Sequence, residues 1–218
     1  MQLIIFDFDG TLVDSRALIL ECHRTVFTEF GLPVPAAKDS LALIGRSLEL
    51  VLAELAGDDA PIMRMVQAYG RVLPQLRGDC TFAERPFEGI GELLEALSGR
   101  PDTSLAIATG HTSKAVVPAL EALGWRDWFS TIQAADMAPS KPHPGMLLQA
   151  LAATGVAADA AVFIGDTSFD MLMAKTAGVA GIGVAWGYHT AEQLAEAGAS
   201  SVVSTVEELK TCVESLLE

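Results

Sequence analysis

Basic residues are scarce in this chain of 218 residues. Only 14 lysines and arginines stand against 28 aspartates and glutamates, which gives a formal net charge of −14. A surface of that sign repels phosphate backbones and anionic lipid headgroups, so we expect no binding to nucleic acid or to a membrane. A small anionic substrate is compatible with this charge only where local cations offset it.

Cysteines and long hydrophobic runs are scarce as well. Cys22, Cys80 and Cys212 are too few and too far apart for a disulfide framework or a metal-ligand motif, which fits a reducing compartment. The apolar run Leu3–Phe6 ends at Asp7 and lacks the basic start and the length of a signal peptide. Because no segment approaches the ~20 apolar residues that span a bilayer, we expect a cytoplasmic protein.

Short apolar runs, each followed by a Gly or Asp cluster and then by a helical pattern, predict an α/β sheet covered on both faces. The predicted strands are Leu3–Phe6, Ser104–Ala108, Ala161–Ile164 and Gly181–Ala185, with Val202 and Val203 at an edge. The predicted core helices are Ile90–Leu97, Ser113–Leu123, Gly145–Ala153, Phe169–Ala177, Ala191–Ala197 and Val206–Leu217.

The stretch from Ser15 to about Ala83 breaks this alternation and carries no convincing strand. Its apolar residues recur at helical spacing over Leu18–Phe30, Leu41–Leu55 and Ile62–Leu76. The pattern predicts an inserted all-helical cap domain over residues 15–83, and an α/β core domain formed by residues 1–14 and 84–218.

Two aspartates follow the first predicted strand. Asp7 and Asp9 point the same way along extended chain, at the strand edge where open α/β sheets bind their ligands. Adjacent carboxylates repel each other unless they share a cation or a proton, and oxygen ligands suit Mg²⁺. A polar turn that merely ends the strand is the structural alternative.

Three further clusters follow predicted strands. Thr109 and Gly110 precede a helix, where a hydroxyl and free backbone N–H groups could bind an anion or simply cap the helix. Lys141 lies between two prolines that fix the backbone around it, so its ammonium could neutralise phosphate. Asp166 and Asp170 follow the strand Ala161–Ile164 and are aimed at the same sheet edge.

In this order, the four clusters resemble the motifs of the haloacid dehalogenase-like hydrolase superfamily, over almost the whole chain. The helical insertion is similar to the small cap of the branch that holds the phosphoglycolate phosphatases and β-phosphoglucomutases. The resemblance implies a Rossmann-like, doubly wound parallel sheet and a phosphatase of small phosphorylated metabolites, acting as a monomer or homodimer.

The resemblance also implies roles for single residues. Asp7 would attack phosphorus, and Asp9 would protonate the leaving oxygen and later activate water. Thr109, Lys141, Gly10 and Gly110 would bind the phosphoryl oxygens. Mg²⁺ would be held by Asp7, the backbone carbonyl of Asp9, and Asp166, with support from Asp170. In the cap, Gly45 and Arg46 would contact the substrate.

Other readings stay open in the sequence. A phosphosugar mutase would use the same aspartyl-phosphate, and a pyrophosphatase or nucleotidase would use the same site. A dehalogenase does not need the acid that Asp9 supplies, and a phosphonatase would need Lys38 as its cap lysine. We interpret His111, His143 and His189 as loop or capping residues, and Trp186 and Tyr188 as packing residues.

Overall fold

Strands and helices alternate along the chain in the computed structural model, which describes residues 1–57 and 59–216. The strands are β1 (Gln2–Phe6), β2 (Val13–Asp14), β3 (Arg85–Pro86), β4 (Thr103–Thr109), β5 (Phe129–Ala134), β6 (Ala161–Gly165), β7 (Ala180–Val184) and β8 (Ser201–Val203). The helices are α1 (Arg16–Glu29), α2 (Ala37–Leu41), α3 (Leu48–Ala56), α4 (Ile62–Arg77), α5 (Ile90–Ser98), α6 (Ser113–Ala122), α7 (Gly145–Thr154), α8 (Ser168–Ala177), α9 (Ala191–Glu196) and α10 (Val206–Leu216), with 3₁₀ turns at Arg126–Trp128 and Ala158–Ala160. Leu217, the predicted end of the last helix, lies outside the described residues.

A six-stranded sheet forms the centre of the molecule, in the order β5-β4-β1-β6-β7-β8, and its strand pairs are all parallel. Phe6, the last residue of β1, lies opposite Ile107 of β4 on one side and Ile164 of β6 on the other. The carboxyl ends of these three strands therefore meet at one edge of the sheet. This architecture confirms the predicted α/β fold with a Rossmann-like, doubly wound parallel sheet.

Both faces of the sheet are covered by helices. Ile4 and Phe6 of β1 pack into a cluster with apolar residues of α5, α6 and α10, whereas Leu3 and Ile5 pack against α7 and α8. All four side chains are fully buried. A strand that is buried on both faces has no polar positions to alternate with apolar ones, which is why β1 was readable as a continuous apolar run.

The helices α1, α3 and α4 pack around a separate apolar cluster, to which α1 contributes Leu18, Cys22, Val26 and Phe27, α3 contributes Leu52, and α4 contributes Met65, Ala68, Tyr69, Val72 and Leu73. The chain leaves the core after β2 and returns at β3, and these two strands pair antiparallel. The predicted limits of the cap, residues 15 and 83, lie beside this pair, and the division into domains stays a prediction. Among the described helices, none has both the length and the hydrophobicity needed to cross a membrane.

The predicted helix Leu41–Leu55 is wrong. The structure has two helices there, α2 and α3, separated by a non-helical segment of residues 42–47, which we call the cap loop. Gly45 has a φ of +97°, which a helix interior does not allow. The backbone of Ser47, with φ −63° and ψ 143°, is extended before α3 begins.

The strand β5 was missed in the sequence. It lies at one edge of the sheet and pairs only with β4. Ser130 is exposed, and Thr131 and Ile132 are half-buried. Because one side of an edge strand faces solvent, Phe129–Ala134 mixes polar and apolar residues and lacks the apolar run by which the central strands were recognised.

We expect Leu3→Ala to lower the free energy of unfolding by ~2–5 kcal/mol, because Leu3 is fully buried in the central strand and its truncation leaves a cavity. Urea unfolding followed by circular dichroism measures this loss. The matched control is Leu148→Ala on α7, where the leucine is 49 % exposed and we expect a change within about 0.5 kcal/mol. Equal losses in the two variants would contradict the assignment of β1 to the core.

Candidate active site

A buried lysine lies between two aspartates at the carboxyl edge of the sheet. The Nζ atom of Lys141 is 2.8 Å from Oδ1 of Asp7 and 2.7 Å from Oδ1 of Asp170. The second oxygen of Asp170 accepts hydrogen bonds from the backbone N–H and the hydroxyl of Thr167, which caps α8. Asp170 therefore fixes both the start of α8 and the position of the ammonium beside Asp7.

Asp166 lies in the same group, at the end of β6. Its carboxylate accepts hydrogen bonds from the Thr11 hydroxyl (3.0 Å) and from the backbone N–H of Tyr188 (2.8 Å). Gly10 lies directly against it: a Cβ atom there would come within 2.2 Å of Asp166 Oδ2, and the residue has a φ of +74°. A glycine is thus required at position 10 for the chain to pass this carboxylate.

Burial controls the charge state of these acids. It raises the pKa of Asp7 to about 7, since the attraction of Lys141 only partly offsets it and Asp170 adds repulsion. Burial, followed by repulsion from Asp170 and Asp7, also raises the pKa of Asp166 well above its ordinary value. Burial acts to lower the pKa of Lys141, but its two aspartates outweigh burial and hold that pKa above its ordinary value.

These acids could bind a metal ion. One carboxylate oxygen from each of Asp7, Asp166 and Asp170 lies within 4.8 Å of the others. Oδ2 of Asp7 is buried without a hydrogen-bond partner among the described residues. Such an all-oxygen donor set, with an unsatisfied buried atom in it, suits a hard divalent cation such as Mg²⁺.

Asp9 has different neighbours from Asp7. Its Oδ1 accepts a hydrogen bond from the Ser15 hydroxyl, and its Oδ2 lies 2.8 Å from His111 Nε2, at an angle outside hydrogen-bond geometry. Burial raises the pKa of Asp9, but His111 and Ser15 outweigh burial and place that pKa below its ordinary value. The pKa of His111 is raised in turn, because attraction to Asp9 overcomes the effect of burial.

Thr109 and Gly110 end β4 next to Asp7 and Asp9. Thr109 is fully buried, and its Oγ1 accepts a hydrogen bond from the backbone N–H of His111. A Cβ atom on Gly110 would lie 2.6 Å from the carbonyl oxygen of Arg46 and 2.7 Å from that of Gly45. The cap loop is thus packed against the core at Gly110.

Further contacts hold the cap loop to the core. The backbone N–H of Ser47 donates to the Ser140 hydroxyl, and a Cβ atom on Gly45 would lie 3.0 Å from Oγ1 of Thr167. The Arg46 guanidinium lies 5.6 Å from the ring centroid of Phe169 and forms an ion pair with Glu54. Gly45 and Arg46 therefore reach the site chiefly through their backbone.

A cavity of about 410 Å³ lies between core and cap. Asp9, Gly110 and His111 line it on the core side, and the cap loop and the helices α3 and α4 line it on the cap side. The cavity therefore extends from the carboxylate of Asp9 at the core edge into the cap.

The structure brings together all the core residues that the sequence singled out. The contact between His111 and Asp9, however, was not predicted. His143 accepts a hydrogen bond from the backbone N–H of Gly145 at the start of α7. His189 accepts one from the backbone N–H of Ser168 at the start of α8. Both histidines are therefore helix-capping residues, as predicted. His111 instead contacts the carboxylate of Asp9. Its position directly after Thr109 and Gly110, at the predicted catalytic edge, was the available signal.

The two aromatic residues predicted to pack do so. The indole of Trp186 donates to the carbonyl of Thr11 and lies against Phe87. The Tyr188 hydroxyl shares a hydrogen bond with Ser15. Tyr188 thus contacts Asp9 indirectly through Ser15, and it donates directly to Asp166 through its backbone N–H.

Comparison with solved structures finds the same fold throughout the chain. A haloacid dehalogenase-like family hydrolase from Streptococcus pneumoniae superposes with a TM-score of 0.84, at 28 % identity and with 98 % of each chain covered. A hydrolase from Pseudomonas syringae superposes with a TM-score of 0.86, at 26 % identity and with 99 % of each chain covered.

Sequence comparison agrees. The family model described as "Haloacid dehalogenase-like hydrolase" matches residues 4–184. A Dickeya dadantii protein named "Probable phosphatase IndB" is 36 % identical, covering 99 % of this chain and 95 % of its own. A phosphoglycolate phosphatase from Synechococcus elongatus is 30 % identical, covering 100 % and 99 %. The chain therefore belongs to the haloacid dehalogenase-like hydrolases, in the branch of the phosphoglycolate phosphatases, as an enzyme of the phosphoric monoester hydrolase class.

Proposed function

We propose that this enzyme hydrolyses phosphate monoesters of small metabolites, the class of compound to which phosphoglycolate and the sugar phosphates belong, through a phosphorylated Asp7 and with Mg²⁺ as cofactor. The observation that carries the proposal is the Lys141 ammonium, which is buried between Asp7 and Asp170 and borders the metal-ligand group of Asp7, Asp166 and Asp170. A phosphoryl group beside Asp7 would meet this positive charge in a site from which water is largely excluded.

The first chemical step takes place at the Asp7 carboxylate. Oδ1 accepts a hydrogen bond from the Phe8 backbone and faces Lys141, whereas Oδ2 has no partner among the described residues. An Asp7 carboxylate oxygen attacks phosphorus, and the bond from phosphorus to the ester oxygen breaks. The leaving oxygen takes a proton from Asp9.

The second step releases phosphate. Asp9 accepts a proton from a water molecule, the water oxygen bonds to phosphorus, and the bond from phosphorus to Asp7 breaks. Asp9 is held between Ser15 and His111, and its attraction raises the pKa of His111 above the ordinary value despite burial. The proton that Asp9 accepts from water replaces the one that it gave to the leaving oxygen in the first step.

The remaining core residues bind the phosphoryl oxygens. Thr109 contributes its hydroxyl, Lys141 its ammonium and Gly110 its backbone N–H group. The predicted contribution of Gly10 is not part of this proposal, because its backbone N–H already donates to the carbonyl of Val13 at 2.9 Å. These groups hold phosphorus in line with Asp7, and positioning together with charge neutralisation accounts for most of the catalysis of phosphoryl transfer.

The metal would be held by Asp7, Asp166 and the backbone carbonyl of Asp9. When bound, Mg²⁺ supplies positive charge that offsets the charge of the phosphoryl group. Asp170 would support the metal site without binding the ion directly, because its two oxygens are already bound to Lys141 and Thr167.

The cap loop would complete the site by closing over the core. We expect Gly110→Ala to lower kcat/KM for p-nitrophenyl phosphate by about tenfold or more, because the added methyl group displaces the carbonyl oxygens of Gly45 and Arg46, and small shifts in a positioned site are costly. The matched control is Gly91→Ala on α5, where a Cβ atom meets nothing closer than 3.8 Å. Wild-type activity in Gly110→Ala at an unchanged melting temperature would rule out the closed cap loop as part of the site.

Asp7 and Asp9 are chemically identical, but we expect their asparagine variants to lose activity at different steps of the reaction. Asp7→Asn removes the nucleophile, so no phosphoenzyme forms. Asp9→Asn keeps the nucleophile but loses the acid and base, at a cost of about 10²–10⁴ in rate. With p-nitrophenyl phosphate, whose leaving group needs little protonation, Asp9→Asn should still phosphorylate Asp7 and then retain the phosphate.

Rapid acid quench followed by peptide mass mapping locates that phosphate. The wild-type enzyme, quenched in the steady state, is the reference. Phosphate on Asp9 of the wild-type enzyme, or on neither aspartate of the Asp9→Asn variant, would overturn the assignment.

We expect EDTA to abolish phosphate release and Mg²⁺ to restore it, and Mg²⁺ to raise the melting temperature more at pH 8 than at pH 6. The pKa of Asp7 is raised from 3.8 to about 7 by burial, so the metal-free protein loses stability as the pH rises through this interval and Asp7 ionises. Below pH 7 a proton competes with the metal for that carboxylate.

Differential scanning fluorimetry with and without Mg²⁺ measures this effect. Asp166→Asn should abolish the response, whereas Asp159→Asn, a change at an exposed residue, should leave it intact. A stabilisation by Mg²⁺ that is equal at pH 6 and pH 8, or that survives in Asp166→Asn, would place the metal elsewhere.

A further inference from the structure

The cavity between core and cap has mainly apolar walls. One face of α4 forms a wall, since the residues of this helix that line the cavity recur at helical spacing: Val66, Tyr69, Gly70, Leu73, Pro74 and Arg77. The other apolar side chains that line the cavity include Ile19, Ile44, Leu48, Val51 and Pro118. A volume of about 410 Å³ corresponds to roughly fourteen water molecules at ~30 Å³ each. The space is far larger than the two-carbon glycolate group.

The arginines that line the cavity are already paired. Arg77 forms an ion pair with Glu84 and donates to the carbonyl of Ala115, and Arg46 is paired with Glu54. Lys114, the remaining cation of the described lining, is exposed, so solvent screens its charge. A substrate carboxylate in this cavity would find no unpaired buried cation among the described residues.

Two neutral polar side chains of the cap-side lining, His23 and Tyr69, already have a hydrogen-bond partner. His23 Nδ1 is hydrogen-bonded to the Ser40 hydroxyl at 3.0 Å, and Tyr69 shares a hydrogen bond with Cys22. Sugar hydroxyls in this cavity would lose their hydrogen bonds to water without gaining equivalent partners. Burying unsatisfied polar groups costs free energy. The walls therefore suit neither a carboxylate nor a polyol.

We propose, on the basis of the phosphatase function above, that the preferred substrates are phosphate monoesters whose alcohol carries a bulky, uncharged and apolar group, such as a ring or a branched hydrocarbon. The phosphoryl group binds at Asp7 and Lys141, and the apolar group fills the cavity against α4. The cavity thus selects against phosphoglycolate itself, although several relatives are named for that substrate.

A panel of primary phosphate esters tests this preference at comparable leaving groups. The panel consists of 2-phenylethyl phosphate, ethyl phosphate, 2-phosphoglycolate and glucose 6-phosphate, assayed for phosphate release with Mg²⁺. We expect kcat/KM for 2-phenylethyl phosphate to exceed that of each of the other three by about tenfold or more, since filling an apolar pocket with several carbons has at least that effect.

Gly70 allows the cavity to be narrowed without a clash. A Cβ atom there meets nothing within 4 Å, and leucine is a better helix former than glycine. Gly70→Leu should lower kcat/KM for 2-phenylethyl phosphate by about tenfold or more and leave ethyl phosphate unchanged. The matched control, Gln67→Leu, adds a leucine to an exposed position of the same helix outside the cavity lining and should change neither.

The outcomes separate this inference from the function on which it rests. Release of phosphate from ethyl phosphate or 2-phosphoglycolate at an equal or higher kcat/KM overturns the apolar preference and leaves the phosphatase standing. A higher kcat/KM for glucose 6-phosphate does the same and favours a sugar phosphate. Equal losses on all esters in Gly70→Leu would show that the cavity does not hold the alcohol group, and no hydrolysis of any ester would overturn both proposals.

Discussion

The ammonium of Lys141 is the charge on which the site depends. It is fully buried beside Asp7 and Asp170, and Asp166 is buried nearby. Removing charged groups from water is expensive unless opposite charges compensate, and one ammonium compensates only part of three carboxylates. The raised pKa values of Asp7 and Asp166 express this deficit. A divalent cation would reduce it, and the same excess of negative charge explains why attraction of a phosphate must be local in so acidic a protein.

The parallel sheet brings these charges together. β4, β1 and β6 lie side by side, so Thr109 at the end of β4 meets, at one edge of the sheet, Asp7 and Asp166, which directly follow β1 and β6. Lys141 reaches the same edge from the segment before α7. Close packing of glycines then determines how near these segments approach, because Gly10 touches Asp166 and Gly110 touches the cap loop. Side chains larger than hydrogen at these positions would hold apart the groups that the strands align.

The sequence was most informative where a single environment controls a whole element. β1 is buried on both faces and was predicted to within one residue, whereas β5 has one face half in solvent and gave no readable pattern. The cap loop carries apolar residues at helical spacing on both sides, and only its contacts with the core explain its break at Gly45. The pairing of His111 with Asp9 joins residues far apart in the chain, so it required the register of the sheet.

The phosphoryl site and the cavity depend on different residues, and they differ in how far a relative's name applies. In the proposed reaction, the core residues around Asp7 act on the phosphoryl group, which every phosphate monoester shares, so resemblance in the motifs is informative about the reaction. We propose that the leaving alcohol instead contacts the cap loop and one face of α4, where Arg46 and Arg77 are each paired with a glutamate. An apolar surface discriminates between substrates by their size and by the free-energy cost of burying polar groups without hydrogen-bond partners. The identity of the alcohol is therefore determined by the walls of this cavity, and the catalytic aspartates contribute little to that choice.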